Sequence, residues 1–140
     1  MNEKIQYHCS WACGIDLGNT FVVTGGNDGS TKQTVAQYTE DGTMTYLTQL
    51  QTGRWGHACA KYINEDGETV STKLNITIYF TIFMQTLLVT GGHDISPMGL
   101  SSTEIYLDSA WSFSHSLPTP RVYFSAATVG NLVYIFGWFT

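Results

Sequence analysis

Short apolar and β-branched runs, broken at regular intervals by Gly, Asn and Asp, make up most of this chain. Phe21-Val22-Val23-Thr24, Leu87-Leu88-Val89-Thr90 and Val133-Tyr134-Ile135-Phe136 are the most apolar of them. Between the runs lie Gly18-Asn19, Asn27-Asp28-Gly29, Glu40-Asp41-Gly42, Asn64-Glu65-Asp66-Gly67 and Gly130-Asn131. Gly tolerates positive φ at such places, and Asn or Asp can bond its own backbone, so each cluster reads as a turn. No segment carries a convincing 3.6-residue apolar period, so no helix is expected. The pattern predicts strands over 21–25, 34–38, 44–47, 57–62, 87–91, 103–107, 110–113, 123–128 and 132–136. It marks Val23, Val89, Tyr106, Trp111, Leu117 and Tyr134 for burial.

The composition agrees with an all-β chain. Aromatic residues (14%) outnumber charged ones (12%), and 14 Gly stand against 3 Pro, as expected of many short strands and tight turns. A net charge of −5 with six scattered basic residues argues against a nucleic-acid surface. Three cysteines, Cys9, Cys13 and Cys59, are too few for a disulfide scaffold. One disulfide with one free thiol and three buried thiols both fit, and the apolar packing of free Cys favours the buried thiols. The polar start of the chain is not followed by the apolar run of a secretory signal, and no stretch is long enough to span a membrane. This leaves a cytoplasmic and a secreted location both open.

The chain also repeats itself, which bears on everything else. The Gly25-Gly26 pair after the first apolar run returns as Gly91-Gly92 after the second, and as Gly137, followed by Trp138, after the third. A strand-like segment ending in Tyr38 or Tyr106 follows each full pair, then an aromatic, Tyr46 or Trp111. Next comes a turn ending in Arg54 or Arg121, a ring at His57 or Phe124, and a small residue at Cys59 or Ala126. Lys4, Tyr7 and Cys9 fit the same phase at the start of the chain.

Spacing exposes one irregularity. Gly25 and Gly91 are 66 residues apart, whereas Gly91 and Gly137 are 46 apart. The surplus lies in Val70 to Gln85, and deleting these 16 residues brings the 66 to 50. Val-Ser can be encoded by a consensus intron start and Gln by a consensus intron end, and the reading frame survives removal. Residues 70–85 therefore read as a retained short intron or a loop insertion, and sequencing of mature transcripts separates the two.

Gly-Gly after an apolar strand, then Tyr, then Trp five residues later (Tyr106 and Trp111) resembles the kelch repeat, over nearly the whole chain apart from 70–85. The resemblance implies a partial kelch-type β-propeller: about two four-stranded blades plus incomplete units, with 1–140 forming one repeat region of a larger ring. Such rings close with about four to eight blades. Gly25, Gly26, Tyr38, Arg54, Gly91, Gly92, Tyr106, Trp111, Arg121 and Gly137 are then structural residues of the repeat. Two features depart from the pattern: Tyr46 stands in a shifted position where Trp is usual, and Gly137-Trp138 replaces Gly-Gly.

The chemistry-bearing motifs are sparse. There is no phosphate-binding glycine loop and no Gly-x-Ser-x-Gly. His8, Cys9, Cys13, His57 and Cys59 include metal-ligating types, but the recurrence of Cys9, Cys59 and Ala126 in the repeat reads as a small core residue, so no metal or cofactor is expected. Loop residues without a repeat counterpart are better candidates for binding, because loops carry function on rigid scaffolds; these are His93, Asp94, Met98 and Leu100. The resemblance implies a non-catalytic scaffold that binds a protein partner, with no nucleic acid and no membrane. The alternative is a fragment of an enzyme similar to the copper-radical oxidases, which require a Tyr–Cys cross-link and His ligands.

Overall fold

A computed structural model describes residues 9–63, 85–130 and 132–137. Among these residues the chain is all-β, with ten strands and no helix. Unit 1 contains β1 (Cys13–Asp16), β2 (Thr20–Thr24), β3 (Val35–Thr39) and β4 (Met44–Tyr46). Unit 2 contains β5 (Ala58–Ile63), β6 (Gln85–Thr90), β7 (Thr103–Leu107) and β8 (Ala110–Ser114). Unit 3 contains β9 (Ser125–Val129) and β10 (Leu132–Phe136). Each unit is an antiparallel meander in chain order. No helix of the described residues is long and apolar enough to cross a membrane.

The nine expected strands all form, with ends displaced by at most two residues; β1 is an additional strand. The segment 70–85 lies outside the described residues except for Gln85, which opens β6 opposite Ile63. The two-residue turn Asp108-Ser109 joins β7 to β8, with φ of 51° and 65°. Both signs are positive, as the twist-matched hairpin turn requires.

The units stack through repeated contacts. The Gly26 N–H donates to the Arg54 carbonyl, and the Gly92 N–H donates to the Arg121 carbonyl, each at 2.8 Å. Gly25 and Gly91, at φ of 60° and 63°, bring the chain against these same carbonyls. A Cβ at Gly91 would sit 2.7 Å from the Arg121 oxygen. These glycines therefore permit one unit to approach the next. Between units 1 and 2 lies the apolar core, in which Ile15, Val22, Val35 and Leu50 pack with Cys59, Leu87, Val89 and Trp111.

Several expectations need correction. Val89 and Trp111 are buried, but Tyr106 and Leu117 are only half-buried. Val23 is half-buried while Val22 is fully buried, because successive side chains of a strand point to opposite faces. Tyr134 is 45% exposed. The register also revises the repeat alignment. Tyr38 pairs with Met44 and Tyr106 with Trp111, so Met44, not Tyr46, is the counterpart of Trp111. Tyr38 and Met44 are six residues apart and Tyr106 and Trp111 five, so the turn containing Glu40-Asp41-Gly42 holds one residue more, and Tyr46 lies two residues beyond the paired position. Ser10 bridges Asn27 as Trp55 bridges His93, which makes Cys9 the counterpart of Arg54 and not of Cys59.

The cysteines depart from the buried-thiol reading. Cys13 on β1 and Cys59 on β5 form a disulfide, with Cα atoms 6.0 Å apart, and Cys9 is free. The paired strands hold these residues on facing surfaces of successive units, within the span a disulfide bridges.

Candidate functional site

At the end of the sheets where β1, β5 and β9 begin, three units contribute one residue each to a line of left-handed backbone. These are Trp11, Gly56 and Tyr123, with φ of 57°, 61° and 55°. The Gly56 N–H donates to the Trp11 carbonyl at 2.9 Å, and the Tyr123 N–H donates to the Gly56 carbonyl at 2.8 Å. Left-handed backbone is costly for a bulky side chain, on the order of 1–3 kcal/mol per residue, and such strain concentrates at functional positions. Here it turns two large rings outward: Trp11 is 54% exposed and Tyr123 60%.

Trp55 lies between them. Its ring centroid is 5.0 Å from that of Trp11 and 5.7 Å from that of Tyr123, and both pairs are tilted. On a further side Trp55 stacks on His93 at 4.8 Å. The two residues also exchange backbone hydrogen bonds, Trp55 N–H to His93 O and the reverse. The result is a strip of four rings drawn from all three units. Tilted aromatic rings on a surface offer apolar area with little side-chain entropy to lose on binding.

Of the loop residues expected from sequence, only His93 belongs to the strip. Its Nδ1 lies 3.3 Å from the Ser96 carbonyl, and the Asp94 carboxylate accepts the Ser96 N–H at 2.6 Å, so Asp94 shapes the loop. The Leu100 N–H donates to the Gly92 carbonyl, and the Leu100 carbonyl accepts from the Arg121 N–H, which folds the loop back toward unit 3. Met98 is exposed beside it, as is Ile95, which the sequence reading passed over. Trp11, Trp55 and Tyr123 were missed as well. Their signal is positional: Trp11 and Tyr123 are aromatics where the middle unit has Gly56, and this emerges only once β1 sets the phase.

Beneath the strip sits a buried polar cluster. Arg54 donates through its two terminal nitrogens to the Gly91 and Ser102 carbonyls, to Ser102 Oγ and to Glu104 Oε1, the last at 2.6 Å. Both side chains of the Arg54–Glu104 pair are fully buried. Glu104 also accepts the Gln51 and Thr52 N–H groups, at 2.6 and 3.0 Å. Arg54 thus ties the segment entering unit 2 to β7, and Arg121 donates to the Gly137 carbonyl in the equivalent place. Tyr38 and Tyr106 are half-buried, and the Tyr106 ring lies 5.2 Å from that of Trp111.

His57 is buried across the seam between units 1 and 2, with Nε2 2.9 Å from Thr24 Oγ1. Burial, reinforced by the Arg54 charge, pushes its pKa down from 6.5 to about 3. The folded ring is therefore neutral where an unfolded one takes a proton. Its contribution to stability is complete above pH 6.5 and is lost as pH falls from there toward 3, by up to about 1.4 kcal/mol per pH unit. Phe124 holds the equivalent place in unit 3, so His57→Phe supplies the comparison. Urea unfolding at pH 6 and pH 5 is expected to show the wild type losing about 1.4 kcal/mol more than the variant; parallel losses would mean that His57 is not held neutral.

Among the described residues, no three of His, Cys, Asp and Glu converge as a metal site. Cys13 and Cys59 are joined to each other, and His8 lies outside the described residues.

Repeated antiparallel four-stranded sheets with matching seams define the class of fold. The chain is similar in fold to the solved structure of YjhT, with a TM-score of 0.69 and 15% identity. The match covers 96% of this chain and 40% of that one, so the chain spans well under half of the solved protein. No family model and no curated protein matches the sequence.

Proposed function

We propose that this chain is part of a kelch-type β-propeller that works as a non-catalytic scaffold, binding a protein partner through the aromatic strip. The observation that carries this reading is the outward turn of Trp11 and Tyr123 on left-handed backbone, flanking Trp55. Exposed Trp and Tyr on a rigid scaffold are the residue types that dominate protein–protein hot spots. The units would be blades of the ring, with 1–140 one repeat region and 70–85 an insertion within it. The Cys13–Cys59 disulfide favours an oxidising compartment, and hence the secreted alternative, because such bonds are rare where cellular thiols are kept reduced.

The test begins by identifying partners of the native protein by cross-linking from a photoreactive group at position 11. The affinity of the purified partner is then measured for the wild type and for Trp11→Ser/Tyr123→Ser. Loss of two such anchors is expected to weaken binding at least about a hundredfold. Unchanged affinity in the double variant would refute the strip as the binding surface. Turnover of a small molecule that depends on these rings would refute the scaffold reading.

A further inference from the structure

Hydrogen bonding around the aromatic strip restricts the kind of segment that can lie on it. At the centre of the strip the backbone is already engaged. Trp55 and His93 exchange both of their main-chain bonds, and Gly56 donates to the Trp11 carbonyl and accepts from the Tyr123 N–H. Trp55 and Gly56 thus keep no backbone N–H for a further strand. A partner cannot add here by β-strand addition, a mode that draws its affinity from main-chain bonds.

The side chains are in the opposite state. Among the described residues, the indole N–H groups of Trp11 and Trp55 and the Tyr123 hydroxyl have no hydrogen-bond partner. An indole N–H can only donate. The carboxylate nearest in sequence, that of Asp94, is taken up by the Ser96 N–H at 2.6 Å. The strip therefore presents apolar ring faces together with donors, and a ligand that covers it must bring acceptors, because a donor buried without one costs free energy. An amphipathic helix does not bring them, since its own turns consume its carbonyls. A sugar ring brings hydroxyl hydrogens that the donors of the strip cannot receive.

A polyproline II segment meets both conditions. It has no internal hydrogen bonds, so its carbonyls are free, and its prolines carry no N–H in need of an acceptor. It returns the same face every three residues, after about 9 Å. The ring centroids step by 5.0 Å from Trp11 to Trp55 and by 5.7 Å from Trp55 to Tyr123, so about one such turn reaches across them. Trp55 and His93, stacked at 4.8 Å, belong to the middle unit, and both are half-buried with a described unit on either side. From this pairing of ring spacing with unmet donors we infer that the strip docks a proline-rich segment of a protein partner in the polyproline II conformation. Prolines three residues apart fill the two gaps beside Trp55, and the carbonyls of the segment accept from Trp11, Trp55 and Tyr123. The inference rests on the reading of the strip as a protein-binding surface and names the segment that it binds.

For the test, the immobilised full chain is offered a phage-displayed library of random peptides. Selected peptides are expected to be enriched in proline at i and i+3, and the enrichment is expected to vanish with Trp11→Ser/Tyr123→Ser. The strongest selected peptide is then titrated against Tyr123→Phe, which keeps the ring and deletes only the hydroxyl. Its affinity is expected to fall about fivefold, with the urea midpoint of the chain unchanged, because that hydroxyl is bonded to nothing among the described residues. Selected peptides that alternate in polarity like strands, or that carry apolar residues at helical spacing, overturn the proposal. So do a library that yields no enriched peptide, binding to a glycan array in its place, and an affinity that Tyr123→Phe leaves untouched. The wider reading fails separately. If the selected peptides lack proline while the native partner is still lost in Trp11→Ser/Tyr123→Ser, the polyproline assignment is wrong and the strip remains the binding surface.

Discussion

Glu104→Ala is expected to destabilise the chain by about 3–5 kcal/mol, because it leaves the Arg54 guanidinium buried without its counter-charge. Arg54 is wholly enclosed, and its bonds to the Gly91 and Ser102 carbonyls do not neutralise it. The same substitution strips the Gln51 and Thr52 N–H groups of their acceptor. Unit 1 shows that the fold tolerates the absence of the pair when both members are missing: the register puts Cys9 and Ala36 at the equivalent positions. Arg54→Leu/Glu104→Ala is therefore expected to be more stable than Glu104→Ala alone. Chemical denaturation of the two variants measures the difference, and a double variant that is no better than the single one would place the cost in the lost N–H acceptors instead of the orphaned charge.

Breaking the Cys13–Cys59 bond carries the second large effect. It closes a loop with a sequence separation of 46, and cross-links of this kind stabilise by about 2–4 kcal/mol, mainly by restricting the unfolded chain. Ala58 and Ala126 show that alanine fits at both places in the repeat, so Cys13→Ala/Cys59→Ala removes the bond without leaving a polar group in the seam. Urea unfolding of this variant, and of the wild type with reductant, is expected to give the same lowered stability. Coincident curves for oxidised and reduced wild type would show that the bond does not constrain the chain.

The sheets were legible in the sequence because alternation, Gly-Gly and Asx-Gly turns are local signals that tertiary contacts did not override. β1 was not legible, because Cys13-Gly14-Ile15-Asp16 holds one strongly apolar residue and a glycine. Without β1 the start of the chain was phased on Tyr7 and Cys9, whose spacing imitates that of His57 and Cys59. That error hid the disulfide, which depends on Cys13 facing a neighbouring unit, and it hid the match of Trp11 with Tyr123. Arg54 stood out in the sequence because it recurs as Arg121. Its partner Glu104 did not, because an acidic residue in the middle of a strand reads as solvent-facing until the neighbouring segment is seen to close over it. Of the strip, only His93 stood out, being a loop residue without a match in the first unit.

The strip crosses two joints that differ in construction. Between Trp11 and Trp55 the flanking strands are covalently riveted at Cys13 and Cys59. Between Trp55 and Tyr123 the same positions are alanines, and the joint rests on packing and hydrogen bonds alone. A ligand lying along all four rings therefore grips one half whose spacing is fixed by a bond and another whose spacing is set by weaker forces. Redox conditions act on the first half only, so an oxidised and a reduced chain present the same side chains with different stiffness at one end of the strip.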